Sequence, residues 1–411
     1  MTRAREASAV VARAALGVVT LISVACGGAP VSSDGGAADA ATSTADASPG
    51  VDIDCAATPC VYVRAGAGGA GSSWSDALDD LPDPMDPTTT YLLATGSYRG
   101  GALAGTIVRA TAASHGDGAG WDDAYDGAAA LAAPVTLATD DTTLDGATWA
   151  GFTLTADALV GGCPACGSLR VTGARVTVRH LRVTGDYQAS FGHSVAIAGH
   201  DTTFEACHFD RALFEDTFGG EPAGTLTLRG NLIEMPDPPD DGAHRDVFNP
   251  YTGAGGWSLV LERNMFLDIW LFAFLLQQGD DLGDLTIRGN VFARGGGHAL
   301  RFGSGSGGAG TVRFEHNTFF ETIDYAGPAA THRDNIYARR AEWTDAFGGD
   351  TVHLSGSATT SAFWDDGGQF VDAGDPLGPD GRPWTDDDGL RLAPGSEALG
   401  AASDGGNLGA Y

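Results

Sequence analysis

His244, Arg245 and Asp246 stand together in the run GAHRDVFNPYTG, with Asn249 and Tyr251 close behind. His298 and Arg301 follow in GHALRF, and His332, Arg333 and Asp334 in THRDN. An imidazole exchanges protons near neutrality, a guanidinium neutralises a carboxylate through a fork of donors, and an Asp can orient either. The residue types needed for proton abstraction beside a neutralised acid are therefore present. Between the first two groups lie Trp270, Phe272, Phe274, Gln277 and Gln278, aromatic faces and amides that suit a ring-shaped, hydroxyl-rich ligand. A plainer reading stands beside this one. Side chains alternate along a strand, so His244, Asp246 and Phe248 share one side while Arg245, Val247 and Asn249 share the other. His298 goes with Leu300 and Phe302, which also fits a hydrogen-bonded core histidine.

The elements that position these groups come from a repeat. LTLRGNLIE places Asn231, LVLERNMFL Asn264, LTIRGNVFA Asn290 and VRFEHNTFF Asn317, at spacings of 33, 26 and 27. TTFEACHFD and VTVRHLRVT put Cys207 and Leu181 in the same slot upstream. Each unit holds short alternating strands between Gly, Asp or Asn turns, and none holds an amphipathic stretch long enough for a crossover helix. Units of this size cannot bury an apolar face alone, so they stack as a parallel β-solenoid. Asn suits the left-handed or bridge conformation of a tight corner, and its amide can bond to the Asn one coil above. Counting back 18 residues from the Asn slot aligns Asp246, Phe272 and Ala299, with Leu213 one coil earlier, as one row of a sheet.

The chain is 411 residues with 53 acidic and 23 basic side chains, all of the latter Arg, and a formal charge of −30. That balance argues against nucleic acid and anionic membrane surfaces as partners. The absence of Lys removes Schiff-base chemistry and P-loop phosphate cradles.

Residues 1–25 read as a signal peptide: Arg3, Arg5 and Arg13 precede an apolar run too short to span a bilayer. The run ends in Ser-Val-Ala before Cys26, which resembles a bacterial lipobox with Cys26 as the lipidated residue. The expectation is an outer-membrane or cell-surface lipoprotein, or a secreted protein if Cys26 is not lipidated, with the lipid as the sole membrane contact. Residues 26–50, rich in Ala, Ser, Thr, Asp and Gly, read as a flexible tether. In an oxidising compartment Cys55 with Cys60, and Cys163 with Cys166, are close enough for local disulfides, while Cys207 sits in an apolar strand pattern as a buried thiol. The Cys163-Pro-Ala-Cys166 spacing also fits a redox or zinc motif, but no second such pair exists.

Asp380 with Gly381, and Asp386, Asp387 and Asp388 with Gly389, make a Gly-rich acidic loop of hard-oxygen ligands without the EF-hand spacing. A bound Ca²⁺ through Asp380, Asp386 and Asp388 and a merely solvated loop both fit that composition.

VYVRAGAGGAGSSWSDALDDLP, then TYLLATGSYRG, the Asn-slot coils and the closing DDGLRLAPGSEALGAASDGGNLGAY resemble right-handed parallel β-helix proteins of the pectate-lyase-like superfamily, in their secreted bacterial branch. The resemblance covers about Val61 to Tyr411. It implies an all-β, single-stranded, right-handed parallel β-helix over residues 88–366, with an N-terminal cap at 51–87 and a C-terminal cap at 367–411. It also implies a polysaccharide partner and a monomer. β-Elimination on a uronic-acid polysaccharide needs a cation at the carboxylate, a base for the α-proton and a donor to the leaving oxygen. His244, Arg245, Asp246, His298 and Arg301 are the candidate catalytic set, with Asn249, Tyr251, Trp270, Gln277, Gln278 and Arg333 as substrate contacts. A non-catalytic glycan-binding or surface-structural β-helix is the alternative. A glycoside hydrolase is third, with Asp246 and either Glu215 or Asp216 as its carboxylate pair.

Overall fold

The computed structural model describes residues 53–155, 167–185, 193–210, 216–235, 246–250, 256–269, 272–276, 282–295, 298–302, 310–320, 322–325, 330–337, 353–355, 358–359 and 369–411. Within them the chain is a parallel β-helix. Among the described residues most coils lay down one strand in each of three sheets, and the strands pair in parallel with their counterparts in neighbouring coils. The first sheet runs from Cys60–Val63 to His353–Ser355, the second from Gly96–Tyr98 to Ala358–Thr359, and the third from Gly101–Leu103 to Thr322–Tyr325. Two short 3-10 turns, Trp74–Asp76 and Asp123–Tyr125, are the helical elements among the described residues.

Alternation explains the interior. In the first sheet Val178, Phe204, Leu228, Leu261, Ile287 and Phe314 stack in register and are fully buried. In the second, Phe266, Phe292, Phe319 and Tyr337 form a continuous aromatic stack, with successive ring centroids 4.5, 4.9 and 5.3 Å apart and nearly parallel planes. The parallel strand spacing of about 4.8 Å sets that distance, so a ring repeated at one slot stacks on itself.

The corner between the first and second sheets carries the Asn slot. Asn231, Asn264, Asn290 and Asn317 are wholly buried, and each directs its Nδ2 donor to the Oδ1 of the next Asn at 2.9 to 3.0 Å. The ladder has a fifth rung, Asn335, whose spacing of 18 from Asn317 lies below that of the other coils. Cys207 occupies the slot one coil before Asn231 and donates its backbone N–H to the Asn231 Oδ1 at 2.9 Å.

One expectation is corrected here. The left-handed residue of the corner is the one before the Asn: His180, Ala206, Gly230, Arg263, Gly289, His316 and Asp334 have φ between 52° and 64°. The corner thus places its strained backbone at a variable residue, while the Asn is selected for its amide.

Residues 369–411 fold back along the outer face of the second sheet. Phe370, Trp384, Leu390, Ala398 and Leu408 pack against Leu232, Met265, Val291, Phe320 and Ile336. The reason is visible strand by strand. The outward slot that holds Arg182 and His208 in earlier coils holds Leu232, Met265 and Val291 in later ones, which need a cover. Gly409, at φ +79°, donates its N–H to the Asp334 carbonyl at 2.9 Å, and a Cβ there would overlap Thr318 and Ile336. Near the other end Cys55 and Cys60 form a disulfide, while Cys207 is free and buried. Cys26, Cys163 and Cys166 lie outside the described residues.

Candidate functional site

The third sheet gathers Asp246, Asn249, His298 and Arg301. Asp246 begins the strand Asp246–Pro250 and pairs in register with Asp216, the first residue of Asp216–Gly220. Asp216 in turn pairs with His193, the first residue of His193–Ile197. In the other direction Asp246 pairs with Phe272, and Phe272 with His298. A single column along the solenoid axis therefore reads His193, Asp216, Asp246, Phe272, His298. Arg301 lies on the His298–Phe302 strand in register with Leu275 and Asp324, and Asn249 in register with Gly219.

The row counted from sequence is right where it pairs Asp246 with Phe272 and wrong at both ends, where it put Ala299 and Leu213. The register selects His298 and Asp216 instead, because the coils differ in length between the third-sheet strand and the Asn slot. His193, two coils before Asp246, was missed. It stands 14 residues before Cys207 in the ladder slot, where Asp246 stands 18 before Asn264, so counting back 18 passes it by.

His193, Asp216 and Asp246 are wholly buried. The His193 Nδ1 stands 3.3 Å from an Asp216 carboxylate oxygen, and the other Asp216 oxygen accepts the Asp246 backbone N–H at 3.3 Å. Gly219 has no side chain because the His193 imidazole fills the place its Cβ would take. Asp246 shares strand parity with the core residue Phe248, Asp216 with Phe218, and His193 with Val195. His193, Asp216 and Asp246 are therefore a buried polar stack at the start of three consecutive third-sheet strands, built like the Asn ladder but from ionisable groups.

His244, Arg245, Tyr251, Trp270, Gln277 and Gln278 lie outside the described residues. Arg333 does not join the third sheet. It ends a first-sheet row in which charge alternates at every coil: Arg179, Glu205, Arg229, Glu262, Arg288, Glu315, Arg333. Arg179 meets Glu205 at 2.9 Å, Arg229 meets Glu262 at 2.9 Å, Arg288 also bonds Glu262, and Arg333 meets Glu315 at 3.2 Å. Burial opposes ionisation of Glu262, yet its bonds to Arg288 and Arg229 leave its carboxyl below the ordinary value. This ladder was legible as an R/E alternation two residues before the corner slot. A row of Thr177, Thr203, Thr227, Val260 and Thr286 runs beside it on the same face.

His332 belongs to the core. Its ring stacks on Phe314 with centroids 4.5 Å apart, its Nδ1 bonds the Tyr337 hydroxyl, and burial lowers its pKa to about 4. Asp380, Asp386 and Asp388 fall in the fold-back segment, where two of the three carboxylates already hold donors. Asp388 accepts from the Trp384 and Thr385 N–H groups and from the Tyr411 hydroxyl, and Asp380 from the Arg382 N–H at 2.8 Å. Burial nonetheless raises the Asp388 carboxyl to about 6.

A cleft of about 650 Å³ opens at residues of the first sheet and the turn after it, beside Arg109, Ser114, Asp126, Thr148 and Trp149. Arg109 is committed within the protein: Nε donates to the Gly146 carbonyl, Nη1 to Asp126 and Nη2 to Thr148. The Trp149 ring stacks on His208, which bonds Glu234 at 2.9 Å.

No protein-family model matches the chain, and no curated protein matches it. Among solved structures it is similar to the crystal structure of pectate lyase Pel9A, at a TM-score of 0.41 and 16% identity, covering 86% of this chain and 96% of that one. At that level of likeness the functional argument rests on this chain's own residues.

Proposed function

We propose that the chain is a polysaccharide lyase that cleaves an acidic glycan laid along the third sheet. The observation that carries the reading is the axial column His193, Asp216, Asp246, Phe272, His298, which runs in the direction an extended polymer would follow. In this mechanism Arg301 and Arg245 neutralise the uronate and acidify its α-proton, and a calcium ion, if bound at the groove, would supply the same charge. A histidine, His298 or His244, takes that proton and passes it to the glycosidic oxygen, which the electron pair expels at the next carbon to leave an unsaturated uronate. Asp216 and Asp246 orient these groups from below. The surrounding charge of −30 repels a polyanion, so the neutralising cations must be local to the groove. A lipid on Cys26 would hold the monomer at a bacterial surface beside its substrate.

A second reading draws on a specific observation. His193, Asp216 and Asp246 have no exposed surface, which suits a structural stack inside a glycan-binding β-helix that performs no chemistry. One experiment separates the readings. The mature chain is incubated with acidic and neutral polysaccharides while unsaturated-product absorbance and reducing ends are followed together, with Asp246→Asn alongside. Absorbance that falls at least about 100-fold in the variant supports the lyase. Reducing ends without absorbance identify a hydrolase, and a folded chain that retains glycan but yields neither product is a binder.

A further inference from the structure

His316 and Asp334 are the left-handed corner residues of two consecutive coils, and Asp404 reaches them from the fold-back segment. One ligand atom from each lies within 4.8 Å of the others. The His316 Nε2 is 3.4 Å from an Asp404 oxygen and 3.7 Å from an Asp334 oxygen. Both separations exceed a normal hydrogen bond of about 2.7 to 3.2 Å. The first falls within, and the second lies just beyond, the edge of a tetrahedron whose ligands stand about 2.0 to 2.2 Å from a central ion, which is about 3.3 to 3.6 Å.

The surroundings prepare each ligand. The His316 Nδ1 faces the Asn407 carbonyl at 3.3 Å, an acceptor that favours the proton on Nδ1 and a lone pair on Nε2. Asp334, wholly buried, is held by the Ser403 hydroxyl and by the Ser403 N–H at 2.8 Å. Asp404 gives one oxygen to the Gly406 N–H at 2.9 Å and keeps the other for the cluster. One ligand atom from each residue thus faces the other two, and the Asp334 oxygen of the cluster also accepts from the Ser403 hydroxyl. The nearest cation, Arg333, has its Nε 3.8 Å from the Asp334 oxygen but is drawn off by Glu315. Exposure of Asp404 leaves the fourth position open to water.

We propose that His316, Asp334 and Asp404 bind a divalent cation of zinc size, which clips the fold-back segment to the corner of the solenoid. The imidazole nitrogen favours zinc or a similar transition ion over calcium, which takes oxygen ligands. This site is independent of the third-sheet column and of any activity there.

The test is calorimetric titration of the chelator-stripped full chain with zinc chloride at neutral pH, together with its melting temperature. One equivalent binds and the melting temperature rises. Asp404→Asn, at an exposed position, and His316→Gln each weaken binding by at least about 100-fold and abolish the rise, while circular dichroism stays that of the parent. Absence of saturable binding to the folded chain overturns the proposal, as does stoichiometric binding that survives both substitutions. A clip that strengthens only as pH falls, with no zinc response, also overturns it and assigns the contact to a protonated His316.

Discussion

Asn264 gives both its backbone N–H and its Nδ2 donor to a single atom, the Oδ1 of Asn290, at 2.8 and 3.0 Å. Its second Nδ2 contact, at 2.7 Å, is the Leu228 carbonyl. Each rung therefore satisfies backbone groups of two neighbouring coils at a corner that water does not reach. Asn290→Ala strips Asn264 of its acceptor and Leu261 of its donor at once. The expected loss is about 2 to 4 kcal/mol by denaturant unfolding. A change below about 0.5 kcal/mol would mean that the ladder reports the fold without supporting it.

Glu262 sits between Arg229 and Arg288 on the exposed face of the first sheet. Replacing it with Gln removes two partly exposed ion pairs and should cost no more than about 1 kcal/mol. Glu262→Arg places three guanidiniums at successive coils about 4.8 Å apart and should cost more, with a penalty that shrinks in high salt. Equal melting temperatures for the two variants at low salt would contradict the ladder.

His332 and Asp388 predict opposite pH responses. Burial holds His332 near 4, below its ordinary 6.5, so the unfolded chain binds the proton better and stability is lost as pH falls from 6.5 towards 4. Asp388, raised from 3.8 to about 6, keeps its proton longer in the fold, so its contribution is present below 3.8 and lost as pH rises towards 6. His332→Phe should therefore gain on the parent by roughly 1 to 3 kcal/mol as pH falls across its window. Asp388→Asn should gain on the parent as pH rises across its own. Unfolding free energies of the three chains at stepped pH check both signs, and parallel curves would refute them.

Gly219→Ala drives a methyl into the His193 ring. The expected outcome is a loss of at least about 2 kcal/mol with the imidazole displaced from Asp216. If the third-sheet column positions the chemistry, product formation falls in this variant under conditions where it remains folded. Unaltered stability would show that the ring has room to move.

Much of this was legible in one dimension. The alternating strands, the Asn slot, the absence of helical periodicity and the Cys55–Cys60 bridge all arise from local residue types at fixed spacing, which stacking repeats turn into sheets. The amide ladder followed because a polar residue repeated at a buried corner has only its own copies to bond. Asn335 escaped notice because its coil is short, and the Arg/Glu row because alternate coils carry opposite charges, which hides the repeat from a search for identity.

What the sequence could not supply was register. The coils vary in length, so counting from one corner loses its place at the next sheet; only strand pairing chose Asp216 over Glu215 as the partner of Asp246, added His193 to the column and moved Arg333 to another face. The same holds for His316, Asp334 and Asp404. The first two meet because consecutive coils superpose, and the third arrives from a segment seventy residues on that folds back to cover an apolar face. Local pattern determined the coil. The contacts between coils, and between the solenoid and its fold-back segment, required the third dimension because they depend on where each coil ends.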